Sequence, residues 1–208
     1  MHSRQPARRR RYKNTLPALN LVGPMRAPSP HYRLRPATAA DVPALHELIA
    51  LSVRGLMTSA YTREQLEAAL GVLLGVDTQL VADGTYFVAE AEGGKLVGCG
   101  GWSKRKTLFG ADHRAGRDAA MLDPQHDAAK IRAFFVHPDW ARRGIGSAIL
   151  DRCEQEAAAA GFHRYEMGAT LSGVPLYKAK GYAEAERIEA PLPGGGVLPV
   201  IRMTKNVP

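Results

Sequence analysis

The sequence predicts an α/β fold of the mixed (α+β) kind: a single sheet layer with helices on its faces. Three observations carry that expectation. Strand-length apolar segments recur between stretches of helical period. Two glycine clusters, Gly93–Gly94 and Gly194–Gly196, each sit between a pair of strand-like segments. With 208 residues and 45% hydrophobic content, the chain has room for one domain of ordinary size with a sizeable core, and a second would be crowded.

In chain order, YRLRPAT from residue 32 alternates as a strand does. The segment after it has Asp41 as the expected N-cap, Pro43 in the first turn, and Leu45, Leu48, Ile49 and the Ser52/Val53 position on one apolar face, which predicts a helix. A second helix is expected from Thr62, whose TREQ spacing is a capping box, to about Leu74. TYFVAEAEGGKLVGCGGWS predicts an antiparallel hairpin about Gly93 and Gly94. Residues 103–129 have neither period and many charges, so they are expected to form a long surface excursion with at most a short helical turn. KIRAFFVH follows as a buried strand. GSAILDRCEQEAAAAG predicts a helix with Ala148, Ile149, Cys153, Ala157 and Ala160 on one side and Gly161 as its stop. HRYEMGATL is a further strand, SGVPLYKAKGY a short helix closed by Gly181, and the remainder a pair of strands joined at Gly194–Gly196. The order is β-α-α-β-β-β-α-β-α-β-β.

The formal net charge is +8, which invites a nucleic-acid or membrane partner. Its distribution argues otherwise. Residues 1–40 hold nine of the 28 Lys and Arg and none of the 20 Asp and Glu, which leaves the rest of the chain near −1. Residues 1–30, with Arg4, Arg8–Arg11, repeated Pro and no apolar signal-like core, are expected to be a disordered basic tail. A transit-like segment or a polybasic contact arm is the alternative for that tail. No run nears the ~18 apolar residues of a membrane span. Cys99 and Cys153 fall in a strand-like and a helix-like pattern, as buried hydrophobes do, and a reducing cytoplasm fits.

The stretch FFVHPDWARRGIGSAIL, residues 134–150, carries the chemistry. A helix starting near Gly146 leaves its first N–H groups without intrahelical partners and concentrates about half a positive charge there. Gly144 and Gly146 remove Cβ atoms where a phosphate oxygen would touch backbone, Arg142 and Arg143 add full charge, and Ser147 adds a hydroxyl. The turn is therefore suited to a phosphate or pyrophosphate. It is no Walker loop, having no Gly-Lys-Ser/Thr, and no dinucleotide fingerprint, having Ile149 where a third glycine belongs. The plainer alternative is a tight strand-to-helix turn that holds nothing.

FFVHPDWARRGIGSAIL, followed by a strand and then SGVPLYKAKGY, resembles the core of the Gcn5-related N-acetyltransferases (GNAT), over about residues 31–205. The resemblance implies a single GNAT-like acyl-CoA N-acyltransferase domain over residues 31–208, with about seven mostly antiparallel strands and four helices. It places the pyrophosphate of acetyl-CoA on ARRGIGSA, that is on Arg142, Arg143, Gly144, Ile145, Gly146 and Ser147. It further implies that the fourth and fifth strands splay beyond a bulge, leaving backbone groups of Phe134, Phe135 and Val136 free to pair with pantetheine and to hold the oxyanion. Acetyl-CoA is the implied cosubstrate, the acceptor a small-molecule or peptide amine, and no metal is implied.

Tyr177, at the Y-x-x-x-G-Y ending, is the implied proton donor to the departing thiolate. A phenol near ~10 and a thiol near ~8.5 make complete transfer uphill by roughly 2 kcal/mol, so the hydroxyl would act through a hydrogen bond that strengthens as charge develops. A ring packed under the sheet with its tip in water is the alternative. Glu90, Glu166 and His137 are candidates for the base that frees the amine, each as compatible with a structural role, while Lys130 stands where some family members carry a base. Trp102 and Tyr61 are expected near the acceptor pocket or in the core. Asp112, His113, His126 and Asp127 lack zinc-like spacing and read as solvated loop charge. Two other hypotheses stand beside the enzyme: an acyl-CoA-binding sensor or interaction module on the same fold, and a nucleic-acid partner for the tail, which the charge distribution does not favour. Similar proteins often pair, so a homodimer is an arrangement the resemblance allows.

Overall fold

The computed structural model describes residues 31–207; the expected basic tail lies outside them. A seven-stranded sheet forms from β1 (Tyr32–Pro36), β2 (Tyr86–Ala91), β3 (Leu96–Ser103), β4 (Ala129–Val136), β5 (Arg164–Thr170), β6 (Ala183–Pro191) and β7 (Val197–Asn206). The spatial order is β1-β2-β3-β4-β5-β7-β6, and every neighbouring pair is antiparallel except β4 with β5. Five helices join the strands, one more than the sequence predicts: α1 (Val42–Leu56), α2 (Arg63–Ala69), α3 (Thr78–Ala82), α4 (Ile145–Ala159) and α5 (Val174–Ala179).

Strand alternation divides the apolar residues between two faces. Tyr86 and Val88 of β2 pack with Leu45, Leu48, Ile49 and Val53 of α1, whereas Phe87 and Ala89 pack with Ile149, Leu150 and Cys153 of α4. Both cysteines are buried and unpaired. On α4, Ile149, Cys153 and Ala157 are buried as expected, but Ala160 is exposed because the helix has already ended at Ala159. Gly161, at φ 90°, is the second residue past that end.

Three boundaries differ from expectation for local reasons. Asp41 does not cap downstream amides; its carboxylate accepts from Thr38 N (2.7 Å) and from both Nη atoms of Arg35 (2.8 Å each), so the cap sits at Thr38 ahead of a short 3₁₀ turn. The Thr62–Gln65 box forms in both directions, at 3.2 and 3.0 Å, yet α2 stops at Ala69, because Leu70 is extended and Gly71 adopts φ 79°. The third difference is α3, five residues long, too short to show a period.

The excursion between β3 and β4 is pinned rather than loose. Arg105 forks onto Asp83 (2.7 and 2.8 Å), Arg117 reaches the fully buried Asp77 (2.7 Å), and Ala111 N donates to Val72 O (2.8 Å). Among the described residues no helix is long and apolar enough to cross a membrane.

Candidate active site

The site begins with a defect in β4. Cys99 pairs with Phe135 and Gly101 with Arg132, so Ala133 and Phe134 together face Gly100 alone: a β-bulge. Ala133 takes φ 56° there, a left-handed conformation that costs a residue with a Cβ about 1–2 kcal/mol. Its carbonyl accepts from the buried Tyr86 hydroxyl at 3.0 Å, which holds the bulge in place. On the other edge of β4, pairing with β5 ends after Ala129–Tyr165 and Lys130–Glu166. Beyond that rung the two parallel strands part.

A cavity of about 570 Å3 opens in the parting, walled by the end of α1, by β4, by the turn before α4 and by α5. Phe134, Phe135, Val136, Arg142, Gly144, Ile145, Gly146, Ser147 and Tyr177 all line it. Of the sequence-predicted binding residues only Arg143 does not; its guanidinium lies over the Trp140 ring, 5.1 Å from the centroid. A second, smaller cavity of about 60 Å3 meets the first at Phe134, Phe135, Thr170 and Tyr177 and runs toward the excursion, between Leu73–Gly75 and Phe109–Gly110.

At the α4 entry, Gly144 adopts φ 82° and the first helical bond runs from Ala148 N to Gly144 O (2.9 Å). The N–H groups of Ile145, Gly146 and Ser147 therefore find no backbone acceptor among the described residues. A Cβ placed on Gly144 would meet nothing within 4 Å, so the turn is open on that side. Arg142 is also left-handed, at φ 62°, and such strain persists where surrounding structure fixes it, commonly at binding sites. The arrangement fits the diphosphate arm of a carrier: three free donors, a helix N-terminus and an exposed guanidinium.

Val136 is not free as expected. Its N–H donates to Ser52 Oγ at 3.1 Å. Ser52 is buried on the apolar face of α1, lines the larger cavity, and was hidden in the sequence because its position fits the helix period of a core residue. A hydroxyl amid Leu45, Leu48, Ile49 and Val53 is the signal that a polar group across the gap needs a partner.

Tyr177 stands at the junction of the two cavities, edge-on to Phe134 (centroids 6.2 Å apart) and Tyr182 (6.0 Å). Burial pushes its phenol well above the ordinary value, so the hydroxyl stays protonated. The base candidates are placed elsewhere. Glu166 is held by Lys130 and by Arg202 (2.9 Å), which keeps its carboxyl low despite burial. Glu90 is held by Arg35 and Arg33 (2.9 Å) on the outer strands. His137 accepts from Asp139 N through Nδ1 at 3.2 Å. None of the three lines either cavity, and neither does any other Asp, Glu or His among the described residues.

Trp102 and Tyr61 belong to the core. Trp102 meets Phe162 edge-on at 6.0 Å, and the Tyr61 hydroxyl bridges Leu171 N (2.7 Å) and Pro199 O (2.8 Å). Asp112 accepts from Thr78 N (3.0 Å) and His126 pairs with Asp123 (2.7 Å), while His113 and Asp127 gather no metal-holding group around them among the described residues.

The family description "Acetyltransferase (GNAT) family" matches residues 51–182. No curated protein sequence matches the chain. Among solved structures, a GCN5-related N-acetyltransferase from Rhodopseudomonas palustris superposes with a TM-score of 0.63 at 22% identity, over 85% of this chain and 96% of that one. PaiA N-acetyltransferase from Thermoplasma acidophilum, solved in complex with coenzyme A, gives 0.58 at 13% identity over 85% and 99%. YncA from Salmonella typhimurium, a putative acetyltransferase solved with acetyl-CoA, gives 0.56 at 20% over 86% and 95%. At these identities the likeness is one of fold.

Proposed function

The chain belongs to the GNAT family of acetyltransferases, and from that premise we propose that it transfers an acetyl group from acetyl-CoA to the primary amine of an acceptor by direct attack within a ternary complex. The observation that carries the proposal is the 570 Å3 cavity, which joins the unpaired amides of Ile145–Ser147 at one end to the Tyr177 hydroxyl at the other. The amides and Arg142 bind the diphosphate, and the parted edge of β4 lies along the pantetheine arm.

Chemistry falls at the junction of the cavities. The amine nitrogen attacks the thioester carbonyl carbon, a C–N bond forms, and the C–S bond breaks. We assign the developing oxyanion to backbone N–H groups of β4 at the bulge. Tyr177 donates to the departing sulfur; its raised pKa keeps the proton available but makes complete transfer costly, so stabilisation of the developing thiolate by a hydrogen bond is the larger part of its role. With no carboxylate or imidazole lining the cavities among the described residues, the amine in this proposal enters unprotonated or loses its proton through water.

The alternative on the same fold is an acyl-CoA sensor that binds the carrier and has no acceptor chemistry. Thiol release in the presence of a panel of amines separates the two. Amine-dependent release with acetylated product supports the enzyme; tight acetyl-CoA binding with only slow hydrolysis supports the sensor.

A further inference from the structure

We propose that the acceptor is a small amine bearing a carboxylate, and that Arg132 in the smaller cavity receives that carboxylate. The inference rests on the acetyl-transfer reading above. Among the described residues Arg132 is the only charged one lining the 60 Å3 cavity, and it sits on β4 immediately before the bulge. It is buried, with 3% of its side chain accessible. Its Nη2 lies 2.6 Å from Asp77 Oδ2 and donates to Gly110 O (2.7 Å), while among the described residues neither its buried Nε nor Asp77 Oδ2 has a well-aligned hydrogen-bond partner.

Asp77 does not neutralise this wall alone, because its other oxygen holds Arg117 at 2.7 Å. Arg114 lies over the Phe109 ring at 4.2 Å from the centroid, bonded to the Phe109 carbonyl and with no carboxylate in ion-pair range among the described residues. Three guanidiniums, Arg114, Arg117 and Arg132, therefore share two carboxylates, Asp77 and Asp112, the latter 3.9 Å from Arg117. One positive charge is left in excess beside the cavity. Burial, with Arg117 and Arg114 against the opposing pull of Asp77, brings Arg132 down to about 10, so it is charged at neutral pH. A buried cation short of counter-charge is costly until an anion arrives, and a guanidinium makes strong charge-assisted hydrogen bonds to a carboxylate.

Size and charge select together. A volume of 60 Å3 admits a group of a few heavy atoms such as a carboxylate and its neighbouring carbons. The excess charge opposes polyamines and aminoglycosides. A carboxylate at Arg132 sets an amine a few bonds away toward Tyr177 and the bulge, which line the same cavity.

The test is thiol release, with mass spectrometry of products, for alanine, serine and methionine against their carboxamides and decarboxylated amines, with spermidine and a C-terminally amidated tripeptide as further arms. Expected is a kcat/KM for at least one amino acid roughly 10- to 100-fold above that of its carboxamide. The matching α-hydroxy acid should compete with the amino acid and not with acetyl-CoA. In Arg132→Gln the carboxylate preference should collapse while KM for acetyl-CoA holds; Arg132→Lys, which keeps the charge, should retain part of the preference if the Gln variant does not fold. Equal or better turnover of a carboxamide, decarboxylated amine, spermidine or tripeptide overturns this inference and leaves acetyl transfer standing. Absence of release with every amine overturns both.

Discussion

Tyr177 and Ser52 show what single residues contribute and how visible each is in a sequence. Tyr177 could be named because its spacing to Gly181 and Tyr182 ends a recognisable helix; Ser52 could not, because one hydroxyl on a helix face of correct period reads as core. Tyr177→Phe removes the hydroxyl and keeps the ring packing against Phe134 and Tyr182, so kcat should fall roughly 10²-fold with little change in melting temperature or in KM for acetyl-CoA. Burial disfavours the phenolate and raises the pKa of Tyr177, so an alkaline loss of rate that an ordinary phenol would give near pH ~10 should be displaced upward. A pH–rate profile with a falling limb below pH 10 would place the acid elsewhere. Ser52→Ala leaves the Val136 N–H without its partner in the free protein. The variant should lose about 1–2 kcal/mol of stability in denaturant titrations and gain more melting temperature from saturating acetyl-CoA than the parent does, since a strand-like ligand can then satisfy that N–H. The base remained out of reach of the sequence because Glu90, Glu166 and His137 differ from a catalytic group only in their partners, and those come from Arg33, Arg35, Lys130, Arg202 and Asp139.

At the scale of elements, the pairing of β4 with the α4 entry makes the site, and both carry local signals: a proline turn, adjacent arginines and glycines. α4 can lie close on β3 because Gly98 has no side chain; a Cβ there would fall 2.4 Å from Ile145 Cγ2 and 3.3 Å from Ile149 Cδ1. Gly98→Ala should cost about 1–3 kcal/mol and, by tilting the first turn of α4, weaken acetyl-CoA binding as well, a combination that calorimetry and thermal melts together detect. Gly144→Glu puts a Cβ at φ 82° and a carboxylate before the free amides, so affinity for acetyl-CoA should drop roughly tenfold or more in a titration. Unchanged affinity would remove the turn from the binding site. The elements the sequence misplaced are those whose ends depend on few residues: α2 stops at Leu70–Gly71, and α3 is a five-residue link between a buried Asp77 and β2. The bulge was expected only through family resemblance, since nothing in KIRAFFVH marks Ala133 as left-handed.

For the molecule as a whole, alternation and helical period give the number and order of strands, but not that β7 lies between β5 and β6, which needs contacts across the sheet. Nor does composition tell which charges meet: the excursion reads as solvated, and folding instead packs its Arg114 over Phe109 and its Arg117 onto Asp77, the carboxylate that also faces Arg132. In the proposed reading those long-range pairings decide the acceptor, while the carrier end, built from a contiguous stretch, can be found by reading along the chain. The central claim concerns that end, and a crystal structure with bound coenzyme A tests it most directly. Diphosphate oxygens should lie within hydrogen-bonding distance of the Ile145, Gly146 and Ser147 amides, with the thiol directed to Tyr177. A diphosphate bound elsewhere, with those three amides facing only solvent, would contradict the account.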